Sequence, residues 1–316
     1  MNRTARDDAA MDELFGAIEG GGTKFVCAVG RGPDDIVSRV RVETTSPDET
    51  LGRAIEALRA GARAAGAPRL GSVGIAMFGP LELRTGRTLA TPKPGWNDVP
   101  VLDTISRALG VPAAIDTDVN AAALAEWRWG AARDADPVAY LTIGTGIGGG
   151  VLVRGVPLHG LMHPEIGHIS VPVARDREGR PDDFAGVCPF HGRCLEGVAS
   201  GTALRARTTK SAADISTEDR VWDLEATYLA HAVATCVLVV SPERVVLGGG
   251  VMQKDGLLAR VREAVPGVLA GYVPRPELTG AEGVAAYVVA PRFGQDAGLA
   301  GAFALAAGCI LRQQNI

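Results

Sequence analysis

At 316 residues, 47% of them apolar, the chain is long enough to bury two cores rather than one. Its 32 basic and 36 acidic side chains leave a formal charge of -4. That disfavours a nucleic-acid binder, which needs a basic stripe to displace counterions. No uninterrupted apolar run reaches the about 20 residues needed to cross a bilayer.

Residues 1–12 are polar, with acids at Asp7 and Asp8, and lack the basic start and apolar stretch of a secretory signal. A disordered or extended tail is expected there, and a cytoplasmic protein. Cys27, Cys236 and Cys309 stand singly in apolar surroundings and read as small core residues. Five cysteines, an odd count, do not make a disulfide framework.

In chain order, residues 14–19 and 25–29 are expected as two strands joined by a glycine turn, and residues 36–44 as a third. Residues 51–65 have helical spacing, with Ser46 available as a cap and Pro47 just inside. Short buried strands follow at 73–77 and 113–117, then a helix at 120–129. Residues 138–143 and 150–153 repeat the opening pattern of strand, Gly/Thr turn, strand, and both copies end in Arg-Gly (Arg31-Gly32, Arg154-Gly155). Two related halves around a nucleotide cleft would produce that repetition, and so would a chance similarity of two hairpins. Beyond a loop-rich stretch, residues 157–197, helices are expected at 198–207 and 218–240, a strand at 244–247, a helix at 256–269, a strand at 286–289 and a last helix at 297–311. Strands alternating with helices imply an α/β architecture.

Three segments carry the chemistry. The turn Glu19-Gly20-Gly21-Gly22-Thr23-Lys24 offers backbone N–H donors, the Thr23 hydroxyl and the Lys24 charge to a phosphate. Glu19 can hold Mg²⁺ through water, because that ion keeps much of its hydration shell. An ordinary glycine hairpin is the plain alternative. The second turn, from Gly144 through Thr145 and Gly146 to Gly150, has five glycines in seven residues directly after an apolar strand. Gly248, Gly249 and Gly250 form a third cluster after a strand, suited to a base or ribose. Between the first two lies Asp116-Thr117-Asp118-Val119-Asn120. Asp118 ends a strand, where α/β proteins place reacting groups, and can take the proton of a hydroxyl that attacks a γ-phosphate. Helix capping is its structural alternative, but that alone leaves Asp116 and Asn120 unexplained. The order of segments points to a kinase of a hydroxylated small molecule.

A fourth group is His168 with Cys188, His191 and Cys194. Two thiolates and two imidazoles satisfy a tetrahedral Zn²⁺, and the spacing C-x2-H-x2-C folds a loop around a metal. With all four positions filled by protein such a metal would be structural, replacing hydrophobic burial as the source of order; two free cysteines and two surface histidines are the plain alternative. Glu165 and Glu196 flank this loop and suit sugar hydroxyl donors, or are simply solvated acids.

From Glu19 onward these segments resemble the ROK family of sugar kinases and repressors, and within it the bacterial fructokinase subgroup. The motifs that carry the resemblance are G-G-T-K-F-V-C-A-V-G from Gly21, F-G-P from Phe78, T-P-K-P-G-W from Thr91, D-T-D-V-N-A-A-A from Asp116, H-P-E-I-G-H from His163, C-P-F-H-G-R-C-L-E-G from Cys188 and G-G-G-V-M from Gly248. The resemblance implies an α/β actin-like ATPase fold, a duplicated ribonuclease-H-like unit in two lobes with a central nucleotide and sugar cleft and a small zinc-binding loop. The expected division is a tail at 1–13, an N-terminal lobe at 14–132 joined by the C-terminal helix 297–316, and a C-terminal lobe at 133–296 with the zinc loop at 163–197. It implies ATP and Mg²⁺, Asp118 as general base, and Gly21, Gly22, Thr23, Lys24, Gly144, Thr145, Gly146, Thr202, Gly248, Gly249, Gly250, Val251 and Met252 around the nucleotide. Gly79, Asn120, Glu165, His168 and Glu196 would face the sugar, and His168, Cys188, His191 and Cys194 match the family's zinc ligands. Many members are homodimers.

Three departures stand out. Glu19 replaces the Asp of many members and carries its carboxylate about 1.5 Å further out. Thr202 stands where related chains often have Pro. His191 interrupts the all-cysteine pattern of ROK glucokinases, which favours fructose as substrate. The expected reaction is therefore fructose to fructose 6-phosphate. Glucose, mannose or an amino sugar is the alternative within the family. A sugar-sensing repressor is the alternative outside it, disfavoured because about twenty residues precede Gly21, too few for a helix-turn-helix.

Overall fold

The computed structural model describes residues 13–313 apart from Pro68 and Pro92, with side chains as far as Cys309. The expected tail, Glu13 excepted, lies outside the described residues. The chain divides into two compact units, residues 1–128 with 296–316, and residues 129–295.

The first unit is built on a five-stranded sheet. Its strands are β1 (Phe15–Gly20), β2 (Lys24–Gly32), β3 (Asp35–Glu43), β4 (Ser72–Met77) and β7 (Ala113–Thr117), in the spatial order β3-β2-β1-β4-β7. The hairpin strands β1, β2 and β3 pair antiparallel, while β1, β4 and β7 run parallel. Every residue of β4 is buried, as expected for a strand covered on both faces. Helix α1 (Pro47–Ala64) presents Leu51, Ala54, Ile55 and Leu58 to the core, which also takes in Phe25, Ile75, Trp96 and Ile105. Ser46 does occupy the N-cap position of α1 but makes no side-chain cap; Thr50 Oγ1 instead accepts from the Thr45 amide. A short hairpin, β5 (Leu81–Glu82) and β6 (Arg87–Thr88), and a helix α2 (Val101–Leu109) were not expected from the sequence.

The second unit repeats the plan. Strands β8 (Val138–Ile143), β9 (Ile147–Val153), β10 (Val156–Pro157), β11 (Arg244–Gly248) and β12 (Val288–Val289) lie in the order β10-β9-β8-β11-β12. Pairing is antiparallel across β8, β9 and β10, and parallel across β8, β11 and β12. The repetition read in the sequence is therefore a repetition of sheet topology, not a chance likeness of hairpins. Two such sheets, each ordered 3-2-1-4-5 by its own strands, are the duplicated ribonuclease-H-like arrangement of the actin-like ATPase fold.

Helix α6 (Val221–Val240) is long and apolar enough to cross a membrane. Thirteen of its twenty residues are buried, however, against Leu141, Val245 and Val261 among others, which makes it the core helix of this unit. The helix expected at 198–207 is two: α4 (Leu195–Ala199) and α5 (Gly201–Thr208). Ser200 separates them in an extended conformation, and its Oγ caps the second through the Ala203 amide. Helices α7 (Leu257–Leu269) and α8 (Pro276–Thr279) follow, and Ala286 and Tyr287, expected in a strand, end α9 (Ala281–Tyr287). Cys27 and Cys236 are buried, and burial pushes both thiols up to about 12, so neither is a nucleophile. Cys309 is only half-buried.

The last helix, α10 (Ala297–Gln313), belongs to the first unit. Ser72 Oγ donates to the Ala306 carbonyl at 2.7 Å, and Phe303 and Ala302 are fully buried.

Candidate functional site

In the first unit the parallel register aligns three strand ends. Gly20 pairs with Met77, and Met77 pairs with Thr117. The residues that follow, Gly21, Phe78 and Asp118, thus emerge from one edge of the sheet, the carboxyl edge where open α/β sheets bind ligands. Phe78 N donates to the Gly20 carbonyl at 2.9 Å, which seats Gly79 on that same edge.

The turn after β1 is tied down from below. The Gly21 amide donates to the Lys24 carbonyl at 2.9 Å, and Thr44 Oγ1 donates to the Gly21 carbonyl at 2.7 Å. Gly22, Thr23 and Lys24 are exposed. A Cβ added at Gly22 would meet nothing within 4 Å, so no contact inside the fold requires glycine there.

Helix α3 (Asp118–Trp129) begins at Asp118, two residues earlier than expected. Asp116 is buried and accepts from Asn120 Nδ2 at 2.7 Å and from the Thr117 amide at 2.8 Å. Asn120 N in turn donates to Thr117 Oγ1 at 3.2 Å. Asp116 and Asn120 therefore brace the strand-to-helix corner, and Asn120, expected to face a sugar, is fully buried. Asp118 is exposed at the corner, its Oδ1 accepting from the Val119 amide at 2.9 Å.

Glu19, mostly buried, is pushed up to about 7. Burial contributes most, the nearby Asp118 carboxylate adds to it, and Lys24 opposes it. Glu19 and the carboxylate that raises its protonation are a donor set that a divalent cation fits, because the cation offsets their repulsion. Arg39 makes a two-pronged contact with Asp296, at 2.5 and 3.1 Å, just ahead of α10.

In the second unit, Gly144 follows β8 and Gly249 follows β11, again on a carboxyl edge, since Thr142 pairs with Gly248. The Gly201 amide donates to the Gly144 carbonyl at 2.7 Å, and Thr202 Oγ1 to the Thr145 carbonyl at 2.8 Å. Thr202, at the start of α5, thus holds the glycine turn directly. Gly249 adopts φ +94°, a conformation that requires glycine. Gly250 has open space where a Cβ would stand, and Val251 and Met252 continue into a short 3₁₀ turn, with Val251 buried.

The metal candidates converge. Ligand atoms of His168, Cys188, His191 and Cys194 all lie within 4.8 Å of one another. Cys188 Sγ is 3.7 Å from both His168 Nδ1 and His191 Nδ1, and Cys194 Sγ is 3.5 Å from His168 Nδ1. A tetrahedral Zn²⁺ with ordinary bond lengths puts S and N about 3.6 Å apart. The four groups therefore fit zinc in number, type and spacing. The loop closes on itself through paired Cys188–Gly192 backbone bonds and a Val187 amide to Gly197 carbonyl bond.

Behind this loop lies a network that spacing does not reveal. Arg193 donates to Tyr228 Oη at 3.0 Å, Tyr228 donates to Asp182 Oδ2 at 2.6 Å, and Arg207 forks onto both Asp182 oxygens at 2.5 and 2.7 Å. Burial alone would raise the Asp182 carboxyl, but the Arg207 and Tyr228 bonds outweigh it and hold the group down at about 2. Glu165 is exposed beside the buried His163, whose Nδ1 approaches its carboxylate to 3.3 Å. Glu196 is half-buried, and its Oε2 reaches the second glycine turn by accepting from the Ile147 amide.

A duplicated ribonuclease-H-like fold, with a carboxylate at one strand end and glycine turns at the others, places the chain in the actin-like ATPase class, of which sugar kinases are one part. Comparison with known proteins narrows that class. The model of the ROK family matches residues 15–308, and the chain belongs to that family. It is 44% identical to a fructokinase of Zymomonas mobilis over 93% of this chain and 96% of that one. It is 37% identical to a fructokinase of Streptococcus mutans over 89% and 92%. Among solved structures it resembles a ROK hexokinase from Thermus thermophilus, with TM-score 0.76 and 29% identity over 96% of this chain and all of that one. It also resembles a ROK glucokinase from Streptomyces griseus in complex with glucose and AMPPNP, with TM-score 0.70 and 26% identity over 93% and 99%.

Proposed function

We propose that this protein is an ATP-dependent hexokinase that phosphorylates the 6-hydroxyl of D-fructose, giving D-fructose 6-phosphate. The observation that carries the reading is Asp118, an exposed carboxylate at the carboxyl edge of its sheet, in a ROK-family chain similar to fructokinases over nearly its whole length.

In this reading the Asp118 carboxylate takes the O6 proton as O6 attacks the γ-phosphorus. The bond from that phosphorus to the β–γ bridging oxygen breaks, and ADP leaves. Gly21, Gly22, Thr23, Lys24, Gly144, Thr145, Gly146, Thr202 and Gly248 to Met252 would hold the nucleotide. The open Cβ positions at Gly22 and Gly250 support this, because glycine there serves no packing. Glu19 would hold Mg²⁺ through water; the ion supplies charge neutralisation to the phosphates. Gly79, Asn120, Glu165, His168 and Glu196 would form the sugar's surroundings. For Asn120 that role passes through Asp116 and the helix start rather than direct contact, since its side chain is buried.

Zinc, held by His168, Cys188, His191 and Cys194, would be structural. Thiolate ligands suit the reducing cytoplasm, where we place the protein. We take the assembly to be a homodimer, as the family resemblance implies.

The deciding experiment is a coupled ADP-release assay over a panel of hexoses with ATP and Mg²⁺. Fructose is expected to give the highest kcat/KM. Preference for glucose, mannose or an amino sugar would move the substrate within the family, and no hexose-dependent ADP release would end the kinase reading.

A further inference from the structure

Gly298 stands in the first turn of α10 and is buried. A Cβ built there would lie 2.6 Å from Glu19 Oε1, 2.9 Å from its Cδ and 3.1 Å from its Cγ. Its three nearest neighbours are thus all atoms of one carboxylate side chain. We infer that Gly298 is a positioning residue for Glu19: the missing side chain is the space in which the longer carboxylate lies. The functional half of this inference rests on the reading of Glu19 given above; the packing half does not.

The helix cannot step aside to admit a side chain. Asp296, two residues earlier, is gripped by the Arg39 fork. At Gly301 the backbone of α10 approaches Ala121 so closely that a Cβ would collide with it, and Gly74 of β4 makes the same allowance for Ala302. Relief must therefore come from Glu19. Its register position in β1 is fixed by pairing with Val26 on one side and Ala76 on the other. Only its side chain can move, and it moves among Asp118, Lys24, Arg39 and Asp296, the charged groups that act on it. A methyl group at 298 would then displace the carboxylate from the place where a hydrated cation would meet it.

Shortening Glu19 to Asp withdraws the carboxylate from Gly298 and makes room for the methyl. This gives a size-exchange test with a change of sign. Inside a helix, Gly→Ala ordinarily stabilises, because it removes freedom from the unfolded chain. Gly298→Ala in the native background should instead lower the melting temperature of the protein measured without Mg²⁺ or nucleotide, by about 3 °C. In the Glu19→Asp background the same substitution should leave it unchanged or raise it. Such a difference is the coupling expected of residues in contact.

Kinetics supply the second readout. Gly298→Ala should raise the Mg²⁺·ATP concentration needed for half-maximal rate about tenfold and leave the KM for fructose unchanged. Relative to Glu19→Asp alone, adding Gly298→Ala should change neither constant. Additive melting shifts, a stabilised Gly298→Ala protein, or a double variant that also fails to fold would overturn the inference. If wild-type protein shows no hexose-dependent ADP release, the function proposed above falls, and the melting cycle still decides the packing claim.

Discussion

Glu196 Oε2 accepts a 2.9 Å hydrogen bond from the Ile147 amide. That single bond joins the residue two positions after Cys194 to the first residue of the strand that leaves the second glycine turn. Gly146 is where the contact leaves no room: a Cβ there would stand 2.5 Å from the same oxygen. The loop that holds Cys188 and Cys194 and the second glycine turn are thus one connected piece of structure.

Replacing Glu196 by Ala should leave the part-buried Ile147 amide without its partner and cost about 1–3 kcal/mol of stability. Gln keeps a carbonyl acceptor in place and should restore most of that. Chemical denaturation of the two variants, compared at equal slope, measures the difference.

Asp118→Asn should keep its melting temperature within a degree or two of wild type, because an exposed Asn Oδ1 still accepts from the Val119 amide. Turnover should fall on the order of 10²-fold or more, the ordinary contribution of a general base. Near-normal kcat in this variant would remove Asp118 from the mechanism.

Removing the metal, by chelation or by Cys188→Ser, should lower thermal stability and activity together, since in the proposed reading zinc would order the loop around Cys188 and Cys194. Elemental analysis of the wild-type protein should find about one zinc per chain. An unchanged melting point with no metal detected would contradict the site.

Two carboxyl groups should shape the pH dependence of stability with opposite signs. Glu19 is raised from 4.5 to about 7, so the folded state binds its proton more tightly than the unfolded state does. Stability should therefore fall as pH rises from 4.5 towards 7, by about 2–3 kcal/mol for this group, and Glu19→Gln should flatten that slope. Asp182 is lowered from 3.8 to about 2, and its contribution is present above 3.8 and lost as pH falls towards 2. Arg207→Met, which strips the fork from a buried carboxylate, should cost about 3–5 kcal/mol. Denaturation series between pH 2 and 8 test each arm.

Local pattern carried the sheets. Residues 138–143 were legible to the residue because β-formers run between Pro137 and Gly144, whereas residues 113–117, Ala-Ala-Ile-Asp-Thr, are marked only by Pro112 ahead of them and the polar corner behind. The glycine turns and C-x2-H-x2-C were legible for the same reason: their chemistry is written over a few neighbouring positions. The two-residue strands β5 and β6 are too short to show a period, and α2 opens after Pro100 without a capping side chain. The break at Ser200 does have a local signal, the turn dipeptide Ser200-Gly201 with an N-cap residue type, which the helical reading of 198–207 passes over. Contacts between distant positions left no local signal. Arg39 meets Asp296 across 257 positions, and Tyr228 meets Asp182 across 46. The same holds for Gly298 against Glu19, where a glycine reads as small while the structure makes it a receptacle.

The contact between Ser72 and Ala306 has a consequence for synthesis. The first sheet emerges from the ribosome early, yet the helix that covers β1 and β4 is translated after the entire second unit. Until Phe303 has been made, the nascent first unit exposes an unpaired apolar face, while the second can already close on its own core. Translation of α10, rather than completion of the early strands, sets the earliest point at which the first unit can bury that face.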